Sequence, residues 1–161
     1  MHVTAKDIMV QEFETIRPEA TVVEAARRIF DAPVRASGFR TVALMVTDED
    51  EKLVGVISMF DILYRLRPSF LNYDVEALQV WNGEIEAHLE QLRDLSVRQA
   101  MTAPVITARA EDHIMVLIDR MIKRRARRLP VVEDRKIIGV VYLMEVFHGL
   151  CKSWLQTPSG Q

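Results

Sequence analysis

The sequence is written twice, and a chain made of two copies of one supersecondary unit has few ways to bury both. Thr4-Ala5-Lys6-Asp7-Ile8-Met9 and Ser96-Val97-Arg98-Gln99-Ala100-Met101 lie 92 positions apart. Each opens on a hydroxyl residue with Asp or Gln three positions later, the signal of a helix N-cap. The same offset carries Thr15 onto Thr107 and Glu19 onto Glu111. It also superposes Val22/Val23/Ala26/Ile29/Phe30 on Ile114/Met115/Ile118/Met121/Ile122. Spacings of three and four within each set predict one helix per copy with a single buried face. Thr21 and Glu24 form a capping box at the head of the first of these helices.

Short β-branched runs follow each helix. Val42-Ala43-Leu44-Met45-Val46 in the first copy answers Leu129-Pro130-Val131-Val132 in the second. Acidic turns come next, then Leu53 to Ser58 and Ile137 to Tyr142. These runs, bounded by turn residues, predict paired buried strands. Each copy closes with a helix, Phe60 to about Leu66 and Met144 to about Leu150. The unit is therefore β-α-β-β-α, preceded by a short helical turn. Gly55 and Gly139 are 84 apart, so the first copy holds eight extra residues, around Ala32 to Gly38 and in the turn Asp48 to Glu51. The expected organisation is a first repeat over 1–67, an inserted segment over 68–95, a second repeat over 96–151 and a tail over 152–161. In the insertion, Leu78, Trp81, Ile85, Leu89 and Leu92 fall on one helical stripe, with Glu84, Glu86, Glu90 and Arg93 outside it. Asn82-Gly83 interrupts that helix near its middle.

Composition narrows the function. The 161 residues are 49% hydrophobic and 27% charged, enough apolar mass for a core and too little bias for wholesale disorder. Lys and Arg number 21 against 23 Asp and Glu, a net charge of −2, which argues against a surface built for long nucleic acid or anionic lipid. One cysteine, Cys151, excludes an internal disulfide framework and fits a reducing compartment. The N-terminus lacks a charged-then-apolar leader pattern. The longest apolar stretch, Ile137 to Met144, is far short of the roughly 20 residues a membrane span needs. The expectation is a soluble, cytoplasmic protein without membrane partners. His2, His88, His113 and His148 form no metal-ligand pattern, and Glu84/His88 alone supplies only two ligands. No nucleophile elbow, phosphate-loop glycine string or zinc-protease motif occurs, so neither enzyme activity nor a metal is expected.

The doubled unit, with Gly55-Val56-Ile57-Ser58-Met59-Phe60-Asp61 and Arg128-Leu129-Pro130-Val131-Val132, resembles the cystathionine-β-synthase (CBS) domain pair, or Bateman module. The glycine string matches that family's Gly-h-h-Thr/Ser-x-x-Asp/Asn motif at every defined position. The resemblance covers about residues 3–66 and 96–150. It implies an α+β class, a mixed α/β sandwich of tandem repeats about a pseudo-two-fold axis. It also implies a homodimer and a non-enzymatic regulatory role, energy sensing included, in which an adenosine ligand between the repeats changes a shape read by a partner protein. By the same resemblance, Asp61 would hold the ribose hydroxyls and Ser58 would sit at the sugar or phosphate. Arg127 and Arg128 would meet the phosphates, and Ala100 with its neighbour Met101 would lie along the adenine.

The residue chemistry stands beside that likeness. A carboxylate at a helix start has two acceptors spaced for a vicinal diol, and helix N–H groups favour a nearby phosphate. The competing reading of Ser58 and Asp61 is a capping box and nothing more. Arginine forks suit phosphate oxygens, whereas S-adenosylmethionine, a sulfonium cation, needs none, so the expected ligand is AMP, ADP or ATP. Lys123-Arg124-Arg125-Ala126-Arg127-Arg128 reads as a phosphate-binding edge or a solvated helix end; with no interleaved aromatics it makes a poor nucleic-acid motif. The methionines read chiefly as core filling, with Met59 and Met101 also candidates for an adenine wall. In the counterpart cleft Tyr142 stands for Ser58 and Glu145 for Asp61. Thr41 and Val42 stand for the arginines there, which predicts one nucleotide per chain. The alternative function is a ligand-free dimerisation scaffold that uses the Trp81 segment as its contact surface.

Overall fold

Helix starts follow the caps written in the sequence. The computed structural model describes residues 2–69, 76, 83 and 85–156. At α1 (Ala5–Ile8) the Asp7 carboxylate accepts from the Thr4 N–H at 2.8 Å. At α5 (Val97–Ala100) Ser96 and Gln99 close a full capping box. At α2 (Val22–Phe30) only half of the expected box forms: Thr21 Oγ1 accepts from Glu24 N at 3.1 Å. His113 heads α6 (Ile114–Arg124), its Nδ1 accepting from Met115 N at 3.2 Å, and Arg125 ends that helix in the left-handed conformation. The remaining helices are α3 (Met59–Leu66), α4 (Ile85–Arg93) and α7 (Leu143–Gln156), the last running well past the Leu150 expected.

In the first repeat, β1 (Thr15–Ile16) pairs parallel with β2 (Ala43–Thr47), which pairs antiparallel with β3 (Leu53–Ser58). In the second, β4 (Arg128–Glu133) and β5 (Lys136–Tyr142) form an antiparallel pair. The expected first strand of this repeat shrinks to one bridge, Ala108 to Val131. Pro130 gives the reason. Its equivalent, Met45, donates its N–H to the Glu14 carbonyl at 2.9 Å, and a proline has no such donor.

Strand alternation divides the core into three. Leu44, Val46 and Ile57 point to a cluster under α2, while Leu129, Val131 and Val141 point to one under α6. The opposite strand faces, Ala43, Met45 and Val56 with Val140 and Tyr142, meet in a central cluster between the two sheets. β2 is buried along its whole length because both of its faces are covered. This is the mixed α/β sandwich the repeat predicts, sheets inside and helices outside.

The lead-in helices are exchanged between the repeats, which the linear segmentation did not anticipate. Ala5 and Met9 belong to the second repeat's cluster, and Val97, Ala100 and Met101 to the first. Ala5 N donates to Asp112 O at 2.9 Å, and Val97 N to Ala20 O at 2.7 Å. Beyond α1 and α5 the chain continues the exchange, bridging Val10 to Val140 and Thr102 to Val56. The glycine of each motif makes room for it. A Cβ on Gly139 would lie 2.6 Å from Met9 Sδ, and one on Gly55 would collide with Met101 Sδ. The insertion helix α4 lies on α2 and α3 through buried Leu92, with Ile85 and Leu89 half-exposed. The Leu78, Trp81, Asn82 and Glu84 part of the expected stripe lies outside the described residues.

Candidate functional site

β3 ends at Ser58 and α3 begins at Met59, so the Gly55-to-Asp61 string delivers a hydroxyl and a carboxylate at a strand-to-helix corner. Asp61 Oδ2 accepts from Ser58 N at 2.8 Å and Ser58 Oγ at 2.9 Å. Ser58 Oγ in turn accepts from Asp61 N at 3.3 Å. The capping box is therefore real. It holds the carboxylate in one rotamer while Oδ1 faces the exchanged segment, where Thr102 Oγ1 donates to it at 2.8 Å. The capping box orients a carboxylate that also lines a cleft, so forming the cap does not take Asp61 away from it.

Facing this corner across the repeat boundary is the end of α6 and the start of β4. Together they enclose a cleft of about 540 Å³. Val42, Val56, Val105 and Ile106 give it apolar walls, Met59 and Phe60 lie at the α3 side, and Arg124, Arg125, Arg127 and Arg128 give it a basic edge. Of these arginines Arg128 is half-buried and Arg127 exposed. Burial pushes the Arg128 guanidinium pKa downward; Tyr142 and Asp61 oppose that shift, while Arg127 and Arg35 add to it. Among the described residues Arg128 takes part in no ion pair, and its buried Nε has no hydrogen-bond partner. Within the basic run Lys123 pairs with Asp119 at 2.9 Å, the one ion pair of that run among the described residues.

Four of the six residues singled out from sequence thus line one cleft: Ser58, Asp61, Arg127 and Arg128. Ala100 and Met101 do not. Ala100 is buried in the first repeat's core, and the Met101 side chain packs against Gly55, so the wall expected of them falls to residues 102–106. Thr102, which contacts Asp61 directly, was missed although it follows Met101. The signal was the position itself, since α5 is capped at Met101 and the chain emerges from the core there. Met59 lines the same cleft.

The pseudo-symmetric cleft differs from its expected form. Arg128 pairs with Tyr142 across β4 and β5 as Ala43 pairs with Ser58 across β2 and β3, so the equivalents of Arg127 and Arg128 are Val42 and Ala43. Alignment through Val46 and Val132 had placed them one residue early, at Thr41 and Val42. An arginine does reach this cleft, contrary to expectation. Arg35 Nε donates to Glu145 Oε1 at 2.7 Å, and its guanidinium lies 3.9 Å from the centroid of the Tyr142 ring. Burial raises the Tyr142 phenol pKa, an effect that Arg35 and Arg128 oppose. Among the described residues no cluster of three His, Cys, Asp or Glu could hold a metal ion, and no helix is long and apolar enough to cross a membrane.

Two copies of the CBS domain model match the sequence, over residues 5–68 and 97–152. The chain belongs to the CBS domain family. Its relatives include a homoserine O-acetyltransferase from Methanohalobium evestigatum, 26% identical over 141 residues; the match covers 87% of this chain but only 22% of that enzyme. The shared part is therefore about a fifth of the enzyme. Among solved structures the CBS domain pair of protein MJ0100, in complex with 5′-methylthioadenosine and S-adenosyl-L-methionine, superposes with a TM-score of 0.67 at 22% identity. That match covers 95% of this chain and 99% of the other. CBSX2 in complex with AMP gives 0.67 at 21% identity, covering 94% and 98%. At these identities the likeness is one of fold.

Proposed function

We propose that this CBS pair is a non-enzymatic regulatory module that binds an adenine nucleotide, AMP, ADP or ATP, in the Asp61 cleft and passes the resulting change of shape to a partner protein. The observation that carries the reading is Arg128. A half-buried guanidinium with no ion pair among the described residues is costly to house, and an anion seated in the cleft offsets that cost. Phosphate matches the planar fork, and three further arginines line the same cleft. Asp61 lines the cleft, and although Oδ1 accepts from Thr102 and Oδ2 from Ser58, the carboxylate has further lone-pair capacity for a ribose diol. The valine and isoleucine walls suit a flat heterocycle. That solved CBS pairs carry AMP in one case and S-adenosyl-L-methionine in another supports the adenosine class; the basic edge favours the phosphate-bearing member.

A thermal-shift series decides between them. Saturating nucleotide at about 100 times its dissociation constant stabilises by about 2.7 kcal/mol, a rise in melting temperature of roughly 5–10 °C for a chain of this size. AMP, ADP and ATP are expected to give such shifts, with adenosine and S-adenosylmethionine giving markedly less. Equal shifts with and without phosphate remove the role assigned to Arg127 and Arg128. No shift with any member returns the chain to the scaffold reading. A second copy of the chain is the proposed cover for the apolar surface of α3 and α7, where Phe60, Phe147 and Trp154 are 67%, 65% and 76% exposed.

A further inference from the structure

The first repeat is longer than the second between α2 and β2, and that excess forms an ordered turn. Val34 bridges Arg40, Arg35 N donates to Phe39 O at 2.9 Å, and Gly38 closes the turn at φ +89°, a conformation only glycine adopts without strain. The turn does not project into solvent. It lays Arg35 into the pseudo-symmetric cleft, where that side chain is 6% exposed and its partner Glu145 11%. Nε and Nη2 each lie 2.7 Å from Glu145 Oε1. Nη1 donates to the Arg40 carbonyl at 3.0 Å, and Ser37 Oγ adds a third donor to the same carboxylate oxygen at 2.8 Å.

The groups that would serve a ligand in this cleft are therefore largely engaged. Glu145 stands where Asp61 stands in the first cleft; the guanidinium and Ser37 share its Oε1, while its Oε2 is buried with no hydrogen-bond partner among the described residues. Tyr142 stands where Ser58 stands, and the same guanidinium covers its ring. Val10, the equivalent of Thr102, brings no hydroxyl; its backbone pairs with Val140 as that of Thr102 pairs with Val56. A ribose diol entering here would have to expel a buried cation and strand a buried carboxylate, two charges removed from water with nothing to pair them.

We propose that Arg35 is a built-in occupant of the second cleft. It closes that site to nucleotide and ties the first repeat's loop to the start of α7, so that the chain takes up one nucleotide and not two. This rests on the nucleotide reading of the Asp61 cleft, and the experiment separates the two.

Calorimetric titration with ADP is expected to give one site per chain. That site is lost in Asp61→Asn and retained in Glu145→Gln. Two sites of comparable affinity in the wild-type chain, or loss of binding in Glu145→Gln alone, overturn the assignment. Should the wild-type chain bind no ADP at all, the reading of the first cleft falls, and the seat of Arg35 is decided without ligand. In that arm, thermal unfolding compares Arg35→Ala, Glu145→Ala and the double variant. Each single change leaves one buried charge unpaired and is expected to lower Tm by roughly 6–12 °C, while the double variant falls no further than the worse single. Losses that simply add show that the two side chains do not hold each other, and overturn the occupant. Arg35→Lys, which keeps the charge but not the fork, is expected to lose less than Arg35→Ala and covers the case in which an alanine variant fails to fold.

Discussion

Asp61 and Arg128 do different work and their substitution has different signatures. Removing the Asp61 carboxylate is expected to weaken ADP binding by roughly 2–4 kcal/mol, about 30- to 1,000-fold, through loss of charge-assisted hydrogen bonds. The carboxylate also caps α3, so Asp61→Asn is the sharper variant: its amide oxygen can still accept from Ser58 N while the charge is gone. Calorimetry on that variant with unchanged affinity would remove Asp61 from the site. Arg128→Met is expected to act with opposite signs on two measurements. The apo protein gains stability, on the order of 1–2 kcal/mol, because a cation with no ion pair among the described residues leaves a half-buried position and an apolar stem of similar length remains. ADP affinity falls about tenfold or more, with a shallower salt dependence. A destabilised Arg128→Met protein with wild-type affinity would show that this arginine is a structural residue. Ser58, Asp61, Arg127 and Arg128 were singled out by the resemblance to the CBS motif, and they meet at one cleft because a strand-to-helix corner and a helix end fix where these short segments lie. Arg35 was not. It meets Glu145 across 110 positions, and nothing local to either residue announces the pairing.

Periodicity and caps gave the elements, but not which repeat each lead-in helix serves. Four residues of α1 or α5 are too few to hold themselves, so each is stable only where a groove accepts it, and the groove lies on the opposite repeat. The matching sequence sign, in retrospect, is Gly55 and Gly139: a strand glycine marks a close approach, here by Met101 and Met9. Gly55→Ala is therefore expected to cost about 1–3 kcal/mol by overpacking, and Met101→Ala in the same chain to recover part of that loss. Urea unfolding of the two single variants and the double checks it; strictly additive losses would mean that the glycine is needed for something other than Met101. Shortening of the second repeat's first strand was also readable, since a proline stood in the partner run, but only once Pro130 was matched with Met45 instead of its neighbour.

At the scale of the whole molecule, two repeats with the same plan have been made unequal. One cleft presents a held carboxylate, apolar walls and a basic edge, while the other is filled from within by Arg35. Under the proposed function, a nucleotide would act on one cleft only. The apolar surface of α3 and α7 places the proposed second copy next to both clefts, so a change of shape there would reach the interface directly. Phe60→Asp or Phe147→Asp is expected to convert a dimer into monomers, read by light scattering after size exclusion; a wild-type chain that is monomeric at micromolar concentration contradicts the dimer. The repeat made the sandwich and its pseudo-symmetry legible, and Tyr142 and Glu145 in place of Ser58 and Asp61 made the inequality of the clefts legible too; what the sequence does not encode locally is the loop path that brings Arg35 to Glu145. The most direct test of the central claim is native mass spectrometry of the intact protein with ADP. The account predicts one ADP retained per chain, absent from Asp61→Asn; a wild-type spectrum with no adduct at millimolar ADP, or with two per chain, would contradict it.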